Sequence, residues 1–335
     1  MVTRSPLRIS FIGGGTDFPK YFEDHGGFFV STAINRYIYC TIKKHSTSFR
    51  ENFRLNYSEN ELVVETSEIK NDIIRGSLKR FSRENFLLDR LYIGTVGDIR
   101  SNSGLGSSSA FSCSLDLALA QLTKNPNTSP IEIAQRACQL EIYELNKAIG
   151  IQDQWSSAHG GLRQFEILKN GSVKTESVKL TSAQATSINN CLLLVDTGQV
   201  RKAEKISQNY SIPNSKQQKI IQKIHEKAMQ FPGEITRTSP TEIPEMLADC
   251  LKGSWELKKS LSSKISNLDI DSLYNQMIRY GCLGGKILGA GGGGYLLMIV
   301  PVEKIESIES KLQRENVLFD RPAISESGTE VLIKC

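Results

Sequence analysis

Ser103–Ala110, read S-G-L-G-S-S-S-A, carries the densest set of chemically useful groups in the chain. Gly104 and Gly106 let an anion approach the main chain, and Ser107, Ser108 and Ser109 add hydroxyls, one of which can ligate Mg²⁺. The helically spaced run Phe111–Leu122 follows without a break, so free N–H groups and the positive end of a helix dipole point at the same spot. Phosphate binding is the chemistry this suits; a turn capping an ordinary helix is the plainer use. Asp153 stands between Gln152 and Gln154, whose amides can fix a carboxylate without neutralising it, as a general base acting on an alcohol requires. A simple turn aspartate is the alternative. Glu141 falls on the stripe Ile131, Ala134, Cys138, Leu145 of a helix that Ser129-Pro130-Ile131-Glu132 should start. A carboxylate on a buried face demands a cation, either a metal ion or a structural Arg or Lys.

Two glycine clusters flank these groups. Gly13-Gly14-Gly15-Thr16-Asp17-Phe18-Pro19 follows the strand-like run Leu7–Ile12 and puts a hydroxyl and a carboxylate beside bare backbone, which suits sugar hydroxyls; Asp17 could equally cap a helix after Pro19. Arg8 alternates with Leu7, Ile9 and Phe11, so it is either a solvent-facing edge residue or a cation aimed into a site. Gly289–Gly294 matches G-x-G-x-x-G in letters only, because it precedes the strand run Tyr295–Val300 instead of following one. A flat turn of this kind, Gly291, Gly292 and Gly293 at its centre, admits another segment's backbone and reads as a wall supporting the site, or as a turn alone. His159, before Gly160-Gly161, reads as a structural or loop histidine and not a catalytic one.

These groups need strands and helices to hold them. Phe28-Phe29-Val30, Tyr37–Ile42, Leu91–Val96, Val173–Leu180 and Cys191–Val195 are strand candidates, the last apolar enough to be central. Arg54-Leu55-Asn56-Tyr57 and Glu61–Val64 are shorter candidates. Helical spacing covers Ile69–Phe81, Glu245–Leu261 and Ile270–Arg279, and Pro232, Pro240 and Pro244 punctuate the linkers before the last two. At 335 residues the expectation is two domains or one long two-layer enzyme. The seven cysteines are scattered, never as C-x-x-C, and read as reduced core residues with no zinc or disulfide framework. A net charge of +5 is too mild for nucleic acid and suits a small anion. No apolar run approaches the about 18 residues of a membrane span. Met1–Ser10 lacks the apolar core of a signal peptide, so the cytoplasm is the expected compartment.

Arg4–Asp17, Ser103–Ala110 and Gly289–Gly294, in this order, resemble the GHMP kinases, the superfamily of galactokinase, homoserine kinase and mevalonate kinase. R-S-P-L-R-I-S-F-I-G-G-G-T-D-F-P with I-G-I-Q-D-Q and H-G-G is most similar to the D-glycero-D-manno-heptose 7-phosphate kinases. The resemblance implies an α+β, two-domain fold with the active site in the cleft between. Residues 1–165 would form an N-terminal domain of mixed sheet and helices, and 166–335 a C-terminal α/β sandwich. It implies ATP and Mg²⁺ as cofactors and phosphorylation of the anomeric C1 hydroxyl of the heptose 7-phosphate, towards nucleotide-activated heptose for surface polysaccharide. Ser103, Gly104, Leu105, Gly106, Ser107 and Ser108 would bind the triphosphate, Ser108 and Glu141 the metal, and Asp153 would be the base. Arg8 would orient Asp153 or stabilise the transferred phosphoryl group. Gly14, Gly15, Thr16 and Asp17 would hold the sugar, and Arg4, Arg201 and Lys202 its distal phosphate. The partner would be a small phosphorylated sugar, with no nucleic acid or membrane and homo-oligomers left open. Another sugar or alcohol acceptor (fucose-like, mevalonate-like or homoserine-like) and a non-catalytic nucleotide-binding relative are the competing readings. Relatives usually have Pro and Gly just before the loop, where this chain has Arg100-Ser101-Asn102, a departure that would bring a cation near the nucleotide.

Overall fold

Leu7, Ile9 and Phe11 are fully buried on one face of strand β1 (Val2–Ile12), and Arg8 points the other way, as a period of two requires. The computed structural model describes residues 1–83, 88–123, 128–200 and 206–334. β1 runs antiparallel to β2 (Gly27–Lys44), one continuous 18-residue strand where the sequence suggested two. Ser31 and Thr32 break the apolar pattern, but they stay in register with Ser10 and Ile9 and are buried, so the ladder carries through.

The length of β2 lets it serve two neighbours on the side away from β1. Its first third pairs with β6 (Leu162–Ile167) and its last third with β5 (Leu91–Gly97). β3 (Phe53–Asn56) lies parallel to β5, β4 (Asn60–Val63) extends β3, and β7 (Val173–Ser177) extends β6. β12 (Glu330–Ile333) covers the outer edge of β1. The eight strands form one sheet, and the expected domain boundary at 165/166 therefore falls inside β6, with β7 and β12 also on the first sheet. The second sheet is antiparallel, in the order β11 (Phe319–Asp320), β8 (Leu192–Asp196), β10 (Tyr295–Ile299), β9 (Gly284–Ile287). β8 is an inner strand, as its unbroken apolar run implies.

Helices α1 (Pro19–His25), α2 (Asp72–Arg83), α3 (Ser107–Leu122), α4 (Pro130–Cys138) and α5 (Gln152–His159) belong to the first half of the chain. α3 is buried throughout Ser109–Ala120, which makes it the central helix packed on β1 and β2. α6 (Ser182–Cys191), α7 (Ser215–Arg237), α8 (Ile243–Lys259), α9 (Leu268–Tyr280) and α10 (Ile305–Arg314) belong to the second half. Pro232 does not end a linker: it lies inside α7, whose buried Ile224, Ala228, Phe231 and Ile235 hold the helix together across it. Phe231 stacks on Phe11 of β1 with ring centroids 5.8 Å apart, so α7 joins the two halves. Cys40, Cys113, Cys138, Cys191 and Cys282 are buried free thiols, as expected. Among the described residues no helix is long and apolar enough to cross a membrane.

Candidate active site

The junction of loop and helix at Gly106 sets the geometry. Gly106 occupies the N-cap position of α3 at φ 79°, and no side chain caps the helix, so its first-turn N–H groups face the cleft without a side-chain partner. A Cβ on Gly106 would sit 3.2 Å from the Asp153 carboxylate and 3.4 Å from Arg8 Cγ, which accounts for the glycine on both counts. Gly104, Gly106, Ser107, Ser108 and Ser109 line the cavity, joined by Asn102, in a left-handed turn at φ 59°. Two expected phosphate-binding residues do not line it. Leu105 is fully buried, its carbonyl accepting from Arg8 N at 3.0 Å, and Ser103 is buried, its carbonyl accepting from Tyr295 N at 3.1 Å.

Arg8 is the cation aimed into the site. Its guanidinium is almost fully buried; Nε donates to Asp153 Oδ1 at 2.7 Å and Nη1 donates to the Gly104 carbonyl at 2.7 Å. One side chain thus fixes the candidate base and the loop together. The two glutamines do not fix Asp153, contrary to expectation. Neighbours on a helix point about 100° apart, so Gln152 Nε2 reaches Ser10 Oγ at 2.7 Å and Gln154 Nε2 reaches Glu141 Oε1 at 3.0 Å. The Arg8 contacts of Asp153 fall on Oδ1, and Oδ2 is the oxygen next to Gly106.

Glu141 is completely buried on a π-helical turn, Gln139–Glu144, that continues α4. Within α4, Ile133, Ala134, Ala137 and Cys138 are buried, and Ile131, in its first turn, is 46% exposed, against the expected pattern. Ser108 Oγ lies 3.3 Å from Glu141 Oε2, and Lys147 Nζ lies 3.7 Å from the same oxygen and 3.5 Å from Asp72. Burial raises the Glu141 pKa, opposed by Lys147 and Gln154. Both the metal and the lysine reading of its counter-charge therefore have a basis. The described residues hold no cluster of three or more His, Cys, Asp or Glu that could bind a metal by itself. One carboxylate and one hydroxyl beside a phosphate-binding helix end suit Mg²⁺, which takes part of its shell from substrate phosphates and water.

Asp17 lies across the cavity, near Gly14 and Gly15. It caps no helix after Pro19; Oδ1 accepts from Gly15 N at 2.9 Å and Oδ2 from Gln152 N at 3.3 Å. Burial pushes its pKa up to about 6, although the Gly15 hydrogen bond opposes this. Gly150, which the sequence reading passed over, is required here: a Cβ would come 1.9 Å from Asp17 Oδ2. Thr16 is turned inward, donating to the Gly13 and Phe28 carbonyls at 2.8 and 2.9 Å.

The remaining expected residues divide. Arg4 is not in the cleft: it pairs with Glu330 at 2.6 Å and lies over the Tyr37 ring at 4.1 Å. Arg201 and Lys202 lie outside the described residues. Arg100 pairs with Asp196, Nε to Oδ2 3.0 Å, so it is engaged with the second sheet and not with the cleft. Gly291, Gly292 and Gly293 pack against Ile265, Ile206 and Gln199, whereas Gly289 and Gly294 are the two that meet Gly104 and Ser103 and form the wall behind the loop. His159 stacks on Trp155 at 5.3 Å, and burial pushes its pKa down to about 4, a structural role.

Transfer of a phosphoryl group to an alcohol calls for an anion cradle facing a carboxylate that can take a proton, and the cleft between the two sheets offers both. The class is a two-domain phosphotransferase. The family model of the GHMP kinases N terminal domain matches residues 52–161, that of the GHMP kinases C terminal domain matches residues 241–318, and together they take in more than half of the chain. The chain belongs to the GHMP kinases and is a phosphotransferase with an alcohol group as acceptor. It is 26% identical over 323 residues to a D-glycero-alpha-D-manno-heptose 7-phosphate kinase of Campylobacter jejuni, covering 93% of each chain. It is 22% identical to a galactokinase of Thermotoga neapolitana, covering 96% of this chain and 95% of that one. Among solved structures, a D-glycero-D-manno-heptose 1-phosphate kinase of Bacteroides thetaiotaomicron superposes with a TM-score of 0.81 at 22% identity, covering 100% of this chain and 99% of the other. The mevalonate kinase of Methanococcus jannaschii gives 0.73 at 20%, covering 97% and 98%.

Proposed function

We propose that the protein is an ATP-dependent sugar kinase that phosphorylates the anomeric C1 hydroxyl of D-glycero-D-manno-heptose 7-phosphate, giving the 1,7-bisphosphate. The likeness over 93% of the chain to a heptose 7-phosphate kinase carries this reading. The product would feed nucleotide-activated heptose for surface polysaccharide, in the cytoplasm.

In this reading the N–H groups of the first turn of α3, with Ser107 and Ser108, take the phosphates of ATP, and Gly14, Gly15 and Asp17 take sugar hydroxyls. Asp153 accepts the proton of the C1 hydroxyl as its oxygen bonds to the terminal phosphorus and the bond to ADP breaks. Arg8 holds Asp153 in place, and its second nitrogen keeps the loop at a fixed distance from the base. Ser108 and Glu141 would hold Mg²⁺, which neutralises phosphate charge when bound.

ADP release with ATP, Mg²⁺ and a panel of heptose 7-phosphate, mannose 6-phosphate, fucose, galactose and mevalonate tests the acceptor. Highest kcat/KM on the heptose phosphate supports the proposal. The full-length likeness to galactokinase favours one second reading, an unphosphorylated sugar, which a preference for galactose or fucose would establish. Asp153→Ala should lower kcat by about 10²-fold or more; near-normal turnover would remove Asp153 as the base.

A further inference from the structure

Most charged groups in the cleft wall are matched. Arg8 pairs with Asp153, and Lys147 with Glu141 and Asp72. Two lysines are not. Lys286, on β9, is 4% exposed, and its Nζ donates to the Phe11 carbonyl at 2.8 Å, bridging the two sheets. Lys258, in the last turn of α8, donates to the Gly289 carbonyl and lies on the same helix face as Ser254, both in the cavity wall. Among the described residues no carboxylate lies within ion-pair distance of either ammonium. Each has three protons to donate, and the single backbone carbonyl named accounts for one of them.

Burial, then Lys286 and Arg8, pushes the Lys258 pKa down to about 7, and burial pushes that of Lys286 down to about 8. Asp17 and Asp153 act on Lys258 from a distance and oppose its downward shift, but neither pairs with it, and two confined cations that no carboxylate contacts are unfavourable unless an anion joins them. The donor's triphosphate already has the end of α3 and its serines. Phe11, the anchor of Lys286, lies just before the Gly14, Gly15 and Asp17 segment of the acceptor side.

We infer that Lys258 and Lys286 seat a phosphate group that the acceptor already carries, on the wall supplied by the second sheet. The inference rests on the phosphorylated-sugar reading above and moves the distal-phosphate site away from Arg4. The same chemistry could be met by the donor's terminal phosphate, and the measurements separate the two.

The experiment compares wild type, Lys258→Met and Lys286→Met on D-glycero-D-manno-heptose 7-phosphate and on the unphosphorylated heptose, with the KM for ATP measured alongside. The wild-type preference for the phosphorylated sugar, as a ratio of kcat/KM values, should fall about 30-fold or more in each variant, as for a desolvated charge pair that loses one partner. Without nucleotide, the heptose 7-phosphate should raise the melting temperature of wild type and much less that of either variant. Lys258→Arg and Lys286→Arg, which keep the charge, should keep most of the preference. A raised KM for ATP with the preference intact would assign the lysines to the donor and overturn the inference. So would variants that keep both the preference and the melting shift. A wild type that does not prefer the phosphorylated sugar would instead overturn the reading of the acceptor, and this inference with it.

Discussion

Asp17 is unusual because its environment favours the neutral form. Its folded pKa is raised to about 6 by burial, so it stays protonated through a range where an unfolded aspartate has ionised. Its contribution to stability is complete below the unfolded pKa and is lost as pH rises through about 6. Asp17→Asn should therefore gain about 1–3 kcal/mol relative to wild type as pH rises from 4 to 7; urea unfolding at both pH values measures it, and parallel curves would refute it. Acceptor binding runs the other way, since ionised Asp17 is the better acceptor of hydroxyl hydrogens. Gly106 concentrates a different constraint. Its φ of 79° and the crowding by Asp153 and Arg8 mean that Gly106→Ala should cost about 1–2 kcal/mol and lower kcat as well, readable by melting and turnover together. Part of this was legible in the sequence. The loop, Glu141 on a buried face and the alternation of Arg8 are local patterns. The partner of Arg8, 145 residues away, is not, and neither is the need for a bare Gly150 behind Asp17.

At the scale of elements, capping separates scaffold from site. Ser129 and Glu132 bond reciprocally at the start of α4, Thr181 and Gln184 do so at α6, and Asn214 and Gln217 at α7. α3 has no such side chain, which leaves its first turn for a ligand. Ser129→Ala should lower unfolding stability by about 1 kcal/mol while leaving kcat within twofold; a larger loss of activity would mean that α4 communicates with Glu141 beyond its cap. The Ser129 box was readable because capping is a short-range code. α6 was missed although it has the same code, because Ser182–Cys191 offers few large apolar residues to trace a stripe. Pro232 misled for the opposite reason: a proline ends most helices, but burial of the apolar face of α7 on both sides of it outweighs one lost hydrogen bond. The π-turn at Gln139–Glu144 could not be read at all, since a stripe drawn at 3.6 residues per turn assumes its absence.

For the whole molecule, the ties between sheets decide whether the cleft keeps its width. Arg100, just ahead of the loop, reaches Asp196 at the end of β8, and Asp196 is otherwise buried. Arg100→Ala should cost about 1–3 kcal/mol, because it leaves that carboxylate without its cation, and the double variant Arg100→Ala/Asp196→Asn should cost less than the single one. A loss in the double variant equal to the sum of the losses in the two single variants, measured by chemical denaturation, would show that the pair is not coupled. The covering of β1 has a consequence in time. Thr3 finds one neighbour at Cys40 and the other at Val331, so β1 is flanked on one side by β12, a strand more than 300 residues further along the chain. A ribosome that has released only the first few hundred residues leaves that flank of β1 bare, and the larger sheet gains its eighth strand only once residues 330–333 have emerged.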